Sequence, residues 1–324
     1  MKKRKVNILV VGLLQTGSSA LIDFLKEYEN IHIIPDEFND FRAPGLIADM
    51  LYSNHSDDFP IKIDTLLKFK RKISLLYQIF PVLNWDRSIV IGFCDRFRKN
   101  VIRIKQLSLL KKLNIKLSSS ISIDEKIEYA NQWITEIGNI KSGNKEFVVF
   151  NQPILNVNET MIWKKVFNPW KLIVVYRDPK DQLAEIIKKG NLCKLYGAPT
   201  VNFGGVALET LYGRSQKGAI AIHIEVIKKR FEWIDSLKKE LDKDEFLLID
   251  FEGLINNYNE YKTVIENFLG NLEHTHRFCG KYFDPKIAKK NIGIYKKYLD
   301  ESDLDSLSNL ENWYNNMIKS NLIN

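Results

Sequence analysis

The chain has 324 residues, 45% hydrophobic and 27% charged, which excludes a disordered or fibrous polypeptide and is ample for a large buried core. Its three cysteines, Cys94, Cys193 and Cys279, lie far apart with no C-x-x-C pair, so a disulfide scaffold and a thiolate metal centre are excluded and the thiols read as incidental ones in a reducing compartment. The net charge is +8, but residues 61–120 hold 14 Lys/Arg against 3 Asp/Glu, a net +11, so the rest of the chain sums to −3 and the basicity belongs to one segment.

The first stretch, MKKRKVNILVVGLL, has basic residues ahead of an apolar run, the order of a secretory leader. That run already carries Asn7 and passes without a break into an amphipathic segment, so it is read as a strand. Five short runs predict buried strands: Val6–Leu13, Ile31–Ile34, Glu146–Asn151, Lys171–Arg177 and Glu245–Phe251. Most are continuously apolar, as strands of a parallel sheet covered on both faces are. Helical periodicity falls between them. Over Ser19–Tyr28 it places Leu21, Ile22 and Leu25 on one face, Glu159–Phe167 fills the gap before the fourth strand, and over Ala219–Glu240 Ile220, Ile224, Ile227, Phe231 and Ile234 share one side. The alternation predicts a doubly wound α/β domain with a parallel sheet. The reading is of one domain over 1–324, with a basic helical insertion at about 45–140 and a Gly-rich mobile loop at 190–216 over a site. No stretch approaches the roughly 20 apolar residues of a membrane span, and the expected location is cytoplasmic.

Gly12-Leu-Leu-Gln-Thr-Gly17-Ser18-Ser19 follows the first strand with the glycine spacing of a phosphate-cradling loop, G-x-x-x-x-G. A nucleotide triphosphatase needs Lys at 18 to reach the β/γ-phosphates and a hydroxyl at 19 to hold Mg²⁺. Ser18 supplies no charge. What is left is a set of backbone N–H groups, the hydroxyls of Thr16, Ser18 and Ser19, and a helix N-terminus, which together suit one anion without a metal. A plain strand-to-helix turn with Ser19 as N-cap is the competing reading. Arg177, in Val174-Val-Tyr-Arg177-Asp-Pro179-Lys-Asp181, ends a strand at the carboxyl edge, where open α/β sheets bind ligands. Its structural alternative is a salt bridge to Asp178 or Asp181.

Thr16-Gly17-Ser18-Ser19 resembles the [KR]-[ST]-G-[TS]-[TS] loop of sulfotransferases, which holds the 5′-phosphosulfate of 3′-phosphoadenosine 5′-phosphosulfate (PAPS). The Arg177–Asp181 segment resembles the family's R-[DN]-P-x-D, whose arginine contacts the 3′-phosphate. Leu248-Ile-Asp-Phe-Glu252-Gly-Leu254 with Phe268-Leu-Gly270 resembles its Y-E-D-L … F-L-G stretch, and Lys289-Lys-Asn-Ile-Gly293-Ile-Tyr-Lys296 its late basic segment. The resemblance implies a P-loop-type sulfotransferase fold. It also implies PAPS bound by Gln15, Thr16, Gly17, Ser18, Ser19 and Ala20 at its 5′ end and by Arg177, Lys289 and Lys290 at its 3′ end, with no metal. In the glycan-type sulfotransferases a catalytic glutamate follows the second strand. Glu37 of Pro35-Asp36-Glu37-Phe38 matches it, so the resemblance implies Glu37 as the base that takes the acceptor's hydroxyl proton. Asp36 and Asp40 compete for that role, His32 is a further possible base inside an apolar run, and a solvated loop residue is the plain alternative. Asn151-Gln152-Pro153 lines the same edge or simply ends a strand.

Two positions depart from the family. The lysine or arginine that contacts the oxygen bridging sulfur and phosphorus, a catalytic role, is Gln15 here, with Lys188, Lys189, Lys289 and Lys290 as cations that could stand in. A serine that contacts the 3′-phosphate is Glu185, which would repel it unless turned away or neutralised by a lysine. The insertion mixes Leu66, Leu67, Phe69, Ile73, Leu75, Leu76, Ile79 and Phe80 with Lys62, Lys68, Lys70, Arg71 and Lys72. It reads as a solvated basic face, an acceptor groove for an acidic glycan, or a peripheral contact with an anionic membrane, but not as a nucleic-acid module. The expected activity is sulfuryl transfer from PAPS to a hydroxyl, of a carbohydrate rather than a small phenol. The alternatives are a nucleotide-binding relative that has lost catalysis and an ATP-dependent phosphotransferase.

Overall fold

The computed structural model describes residues 4–12, 15–38, 47, 51, 87–117, 121–153, 160–189, 216–270, 272 and 282–321. Asp40, most of the expected insertion up to residue 86, and the expected loop at 190–216 apart from Gln216 therefore lie outside the described residues. The chain divides into two compact units, one comprising residues 1–39, 145–159 and 169–324, the other 40–144 and 160–168.

The first unit contains the five strands of the described residues, β1 (Val6–Gly12), β2 (Ile31–Ile33), β3 (Phe147–Asn151), β4 (Trp170–Tyr176) and β5 (Phe246–Asp250), in one sheet of order β2-β3-β1-β4-β5. Every neighbouring pair is parallel. Each strand lies within a residue or two of its place in the sequence reading. The described helices, in chain order, are α1 (Ser18–Leu25), α2 (Arg87–Leu117), α3 (Ile123–Asn139), α4 (Thr160–Val166), α5 (Pro179–Lys188), α6 (Gln216–Glu240), α7 (Phe251–Asn256), α8 (Tyr258–Leu269), α9 (Pro285–Ala288), α10 (Tyr295–Tyr298) and α11 (Glu301–Asn321). A 3₁₀ turn at Lys289–Asn291 follows α9.

The sheet is buried on both faces, which is why its central strands are unbroken apolar runs. On one face Ile8, Val10, Val149, Ile173, Val175 and Ile249 pack with Leu21, Phe24 and Leu25 of α1, Leu254 of α7 and Ile265 of α8. Residues of the opposite parity, Leu9, Val11, Val148, Phe150, Leu172 and Val174, are equally buried. On that side Tyr176 of β4 meets Tyr314 of α11 edge-on at 5.8 Å, and Trp313 stacks on Phe231 of α6 at 4.1 Å. Full burial of each such side chain contributes about 1.5–3 kcal/mol. The fold is thus the doubly wound parallel α/β class expected from the sequence.

The topology also creates a crevice. From β1 the chain turns into α1, on one face of the sheet, and continues to β2; β4 is followed by α5 and leads to β5, on the other side of β1 in the strand order. The segments leaving the carboxyl ends of the adjacent strands β1 and β4 diverge, and such a switch point is where open α/β sheets bind ligands.

The second unit contains α2, α3 and α4. Its best-marked start is α3, where Ser122 and Glu125 form a reciprocal capping box: the Glu125 amide donates to Ser122 Oγ at 3.3 Å and the Ser122 amide to Glu125 Oε2 at 2.9 Å. Ile127, Ala130, Trp133, Ile134 and Ile137 form the buried face of α3. Along α2, Leu107, Leu110, Leu113 and Leu117 are buried while Lys105, Lys112 and Lys116 are exposed. No helix among the described residues is long and apolar enough to cross a membrane.

Candidate functional site

The site is built at the carboxyl edge of the sheet, entirely from residues of the first unit. After β1, Gln15 has a left-handed backbone, φ 54, and Gly17 another, φ 88. Gly17 is the N-cap of α1, and no side chain among the described residues caps that helix; Ser19 is therefore not the N-cap that the turn alternative required. Glycine is needed at 17 twice over. Its φ is one that side chains resist, and a Cβ there would lie 2.1 Å from the Phe251 ring. Gly12 is held for a related reason, since a Cβ on it would fall 2.7 Å from Thr16 Oγ1 and from Ser18 Oγ. The hydroxyls of Thr16 and Ser18 therefore face inward against the end of β1 and shape the loop. Ser19 is exposed and Ala20 half-buried.

Gln152 locks this shape. Its Nε2 donates to Ser18 Oγ at 2.7 Å and its Oε1 accepts from the Gly12 amide at 3.2 Å. It does so from a second left-handed non-glycine backbone, φ 54, and Asp36 after β2 is a third residue of this kind near the edge, φ 64. Gln15, Asp36 and Gln152 close the adjacent strands β1, β2 and β3, and each such conformation costs on the order of 1–3 kcal/mol. Strain concentrated at three neighbouring strand ends marks a shaped site rather than ordinary turns. Glu37 stands exposed between left-handed Asp36 and buried Phe38. Phe38 fixes the segment: its amide donates to the Asn151 carbonyl at 2.7 Å and its ring meets Phe150 edge-on at 4.9 Å. His32 lies in β2 and is half-buried.

Arg177 faces the loop. Its Nη1 donates to the Gln15 carbonyl at 3.0 Å and its Nη2 to the Asn291 carbonyl. Its Nε lies 3.4 Å from Glu252 Oε1, and its guanidinium carbon sits 4.9 Å from the centre of the Phe251 ring. Phe251 is thus a platform between Gly17 and Arg177. The carboxylate paired with Arg177 is Glu252, not Asp178 or Asp181. Asp178 caps α5 by accepting from the Lys180 amide at 2.8 Å. Asp181, buried, accepts from the amides of Gly293 at 2.6 Å and Tyr295 at 3.0 Å. Together Arg177 and Asp181 fasten the late basic segment to the start of α5. Lys289 and Lys290 are exposed in the 3₁₀ turn that ends at Asn291.

Behind Arg177 lies a buried acidic pair. Tyr314 Oη stands 2.8 Å from Asp250 Oδ1 and 3.0 Å from Glu252 Oε2, and the Asp178 amide also donates to Glu252 Oε2, at 3.2 Å. One hydroxyl carries one hydrogen, so bonding to both carboxyls requires a proton on one of them. Burial, then the neighbouring Asp250 charge, push Glu252 up to about 8, with Arg177 pulling the other way; burial raises Asp250 to about 6.

The two departures noted in the sequence come together. Glu185 is flanked by Lys188 Nζ at 3.4 Å and Lys189 Nζ at 3.3 Å, and Lys189 Nζ also donates to Gln15 Oε1 at 2.6 Å. Lys188 ends α5 and Lys189 is its C-cap, so these lysines belong to a helix end, ahead of the expected loop at 190–216. Among the described residues no group of three or more His, Cys, Asp or Glu side chains is arranged to hold a metal ion.

Sequence reasoning named Gln15, Glu37, Gln152 and Arg177 but missed the Phe251 platform, the Glu252–Tyr314–Asp250 cluster and the Asp181 clamp. The available signal was the Asp250-Phe-Glu252-Gly253 run, in which Asp250 caps α7 through the Gly253 amide at 2.7 Å.

No family model matches the chain, and no curated protein matches it. Among solved structures it is similar to the sulfotransferase domain of the Synechococcus PCC 7002 olefin synthase, with 12% identity, a TM-score of 0.44 and 94% of each chain covered. It is also similar to the sulfotransferase domain from the curacin biosynthetic pathway, with 14% identity, a TM-score of 0.47, and 96% of this chain and 98% of that one covered. A third is sulfotransferase STF9 from Mycobacterium avium, with 11% identity, a TM-score of 0.40, and 83% and 64% covered. At such identities and scores these likenesses do not bear on the chemistry, which rests on the residues of the site.

Proposed function

We propose that this chain is a sulfotransferase that moves a sulfuryl group from PAPS to a hydroxyl, in the first instance of a carbohydrate. The observation that carries the reading is the bond from Arg177 Nη1 to the Gln15 carbonyl, 3.0 Å, which sets a guanidinium after β4 against an anion cradle after β1. A ligand with two separated phosphates suits that pairing. The uncapped start of α1 with left-handed Gly17 would take the 5′-phosphate through backbone amides and the exposed Ser19 hydroxyl. Arg177, with Lys289 and Lys290 beside it, would take the 3′-phosphate. Arg177 is only 2% exposed and its Nη2 is engaged by Asn291, so uptake of the 3′-phosphate requires the Lys289–Asn291 turn to shift.

In the transfer, the acceptor's hydroxyl oxygen bonds to sulfur as the bond from sulfur to the bridging phosphate oxygen breaks. The electron pair stays on that oxygen, adenosine 3′,5′-bisphosphate leaves, and the hydroxyl proton passes to the Glu37 carboxylate. Glu37 is exposed at the same edge and anchored through Phe38, as a base that must meet an incoming acceptor should be. Nothing in the step calls for a Lewis acid, because the charge that develops sits on the oxygen facing the cradle. The carbohydrate preference rests on the glutamate base, and the cytoplasmic location remains part of the proposal.

The test is transfer of labelled sulfuryl from PAPS to a panel of hydroxylated oligosaccharides in the presence of a magnesium chelator. Labelled oligosaccharide is the expected product. Uptake of the bisphosphate without transfer to any acceptor would instead mark a chain that binds the nucleotide and has lost catalysis.

A further inference from the structure

We infer that Lys189 is a positioning residue that lends its charge to the bridging oxygen of the sulfuryl donor through the Gln15 amide, so that the loop's missing cation is supplied from the far end of α5. The inference rests on the proposed sulfotransferase reading and extends it to a residue which that reading leaves without a role.

Gln15 is gripped at both ends. Arg177, just ahead of α5, donates to its carbonyl at 3.0 Å, and Lys189, at the C-cap of the same helix, donates to its side-chain Oε1 at 2.6 Å. An ammonium group only donates, so the amide atom facing it must be oxygen. That fixes the orientation of the side chain, with Nε2 as its donor end turned away from Lys189. A cation on the oxygen polarises the amide and makes its N–H groups stronger donors, because chained hydrogen bonds polarise and strengthen one another. The left-handed backbone of Gln15, φ 54, is a cost that the two grips offset.

Glu185 belongs to the same device. Its Oε1 lies 3.3 Å from Lys189 Nζ and its Oε2 3.4 Å from Lys188 Nζ. It is nearly buried while Lys189 is half exposed. A fixed carboxylate one helical turn back thus anchors a long, flexible lysine where its ammonium meets Gln15. A serine at 185 would leave Lys189 free to swing into water. Gln15 and Glu185 are then two halves of one substitution: the charge has left the loop, and the carboxylate holds its replacement in place. In the transfer, the sulfur–oxygen bond to the donor breaks, its electron pair remains on the bridging oxygen, and the Gln15 Nε2–H faces that developing charge. No proton moves through Lys189.

The experiment uses the full chain and reads two quantities for each variant. One is affinity for adenosine 3′,5′-bisphosphate by calorimetry. The other is kcat and KM for PAPS, followed as bisphosphate release in the presence of the oligosaccharide panel. For Lys189→Ala the expected result is a fall in kcat of about 100-fold, the scale of losing one donor to a developing oxyanion, with bisphosphate affinity and KM within about threefold. Lys189→Arg should recover most of the rate, and Gln15→Lys added to Lys189→Ala should restore at least about tenfold. A Lys189→Ala variant that keeps wild-type kcat would overturn the inference. So would one that loses affinity and kcat in equal measure, since the lysine would then simply hold a phosphate. Failure of the underlying function reads differently, as a wild-type chain that takes up no bisphosphate, and it would defeat this inference as well.

Discussion

Arg177 donates from Nη1 to the backbone carbonyl of Gln15 at 3.0 Å across 162 positions of sequence. The contact joins the ends of the adjacent strands β1 and β4, at the point where the connections of the sheet diverge. It makes the loop after β1 and the strand-ending arginine parts of one structure, stacked through Phe251.

Replacing Arg177 by methionine keeps the apolar stem over Phe251 and removes the charge. The expected outcome is a loss of discrimination. Affinity for adenosine 3′,5′-bisphosphate drops by about 100-fold, on the scale of a lost charge-assisted contact, while affinity for adenosine 5′-phosphosulfate, which lacks the 3′-phosphate, changes much less. Parallel titrations of the two ligands check this. An equal loss for both would place Arg177 in the scaffold of the loop and not at a phosphate.

Glu37 is exposed, so its replacement should spare the fold. Glu37→Gln is expected to lower kcat by about 100- to 10,000-fold, the range for a general base, with bisphosphate affinity unchanged. Full activity in this variant would remove Glu37 from the mechanism and leave Asp36 and His32 to be tested.

Gly17→Ala places a methyl 2.1 Å from the Phe251 ring at a φ of 88. Overpacking and backbone strain together should cost about 2–4 kcal/mol, read as a lower denaturant midpoint, and bisphosphate binding should go with it. Wild-type stability and binding would show that the loop is not held against Phe251.

Glu252 and Asp250 give the fold a pH dependence of definite sign. Burial raises both carboxyls, to about 8 and about 6, so the folded chain keeps protons at a pH where the unfolded chain has released them. Their contribution to stability is complete below the ordinary carboxylate range and is lost as pH rises through about 6 for Asp250 and about 8 for Glu252. Glu252→Gln imitates the protonated form. Melting curves between about pH 5 and pH 9 should show the wild type losing stability with rising pH more steeply than Glu252→Gln. Parallel trends would mean that the Glu252 carboxyl does not titrate in this window.

The sheet was legible because parallel strands buried on both faces leave unbroken runs such as Ile8–Val11 and Leu172–Tyr176. The loop was legible because Gly12 and Gly17 are required by close contacts within a few residues of each other. The boundaries shifted where backbone conformation decides: a left-handed Gly17, rather than a serine side chain, begins α1. What the sequence did not reveal are the partners met across the fold. Glu252 for Arg177, the amides of Gly293 and Tyr295 for Asp181, and Lys189 for Gln15 depend on which segments the topology brings to one sheet edge, and local patterns do not encode that. The mismatches at Gln15 and Glu185 were visible as anomalies in the sequence, and their connection is visible only in three dimensions.

The most direct measurement is calorimetric titration of the full chain with adenosine 3′,5′-bisphosphate, without metal, beside ATP with Mg²⁺. The account predicts saturable one-to-one binding of the bisphosphate and none of Mg-ATP, with Ser18 rather than lysine in the cradle. Binding of Mg-ATP with no uptake of the bisphosphate would contradict it.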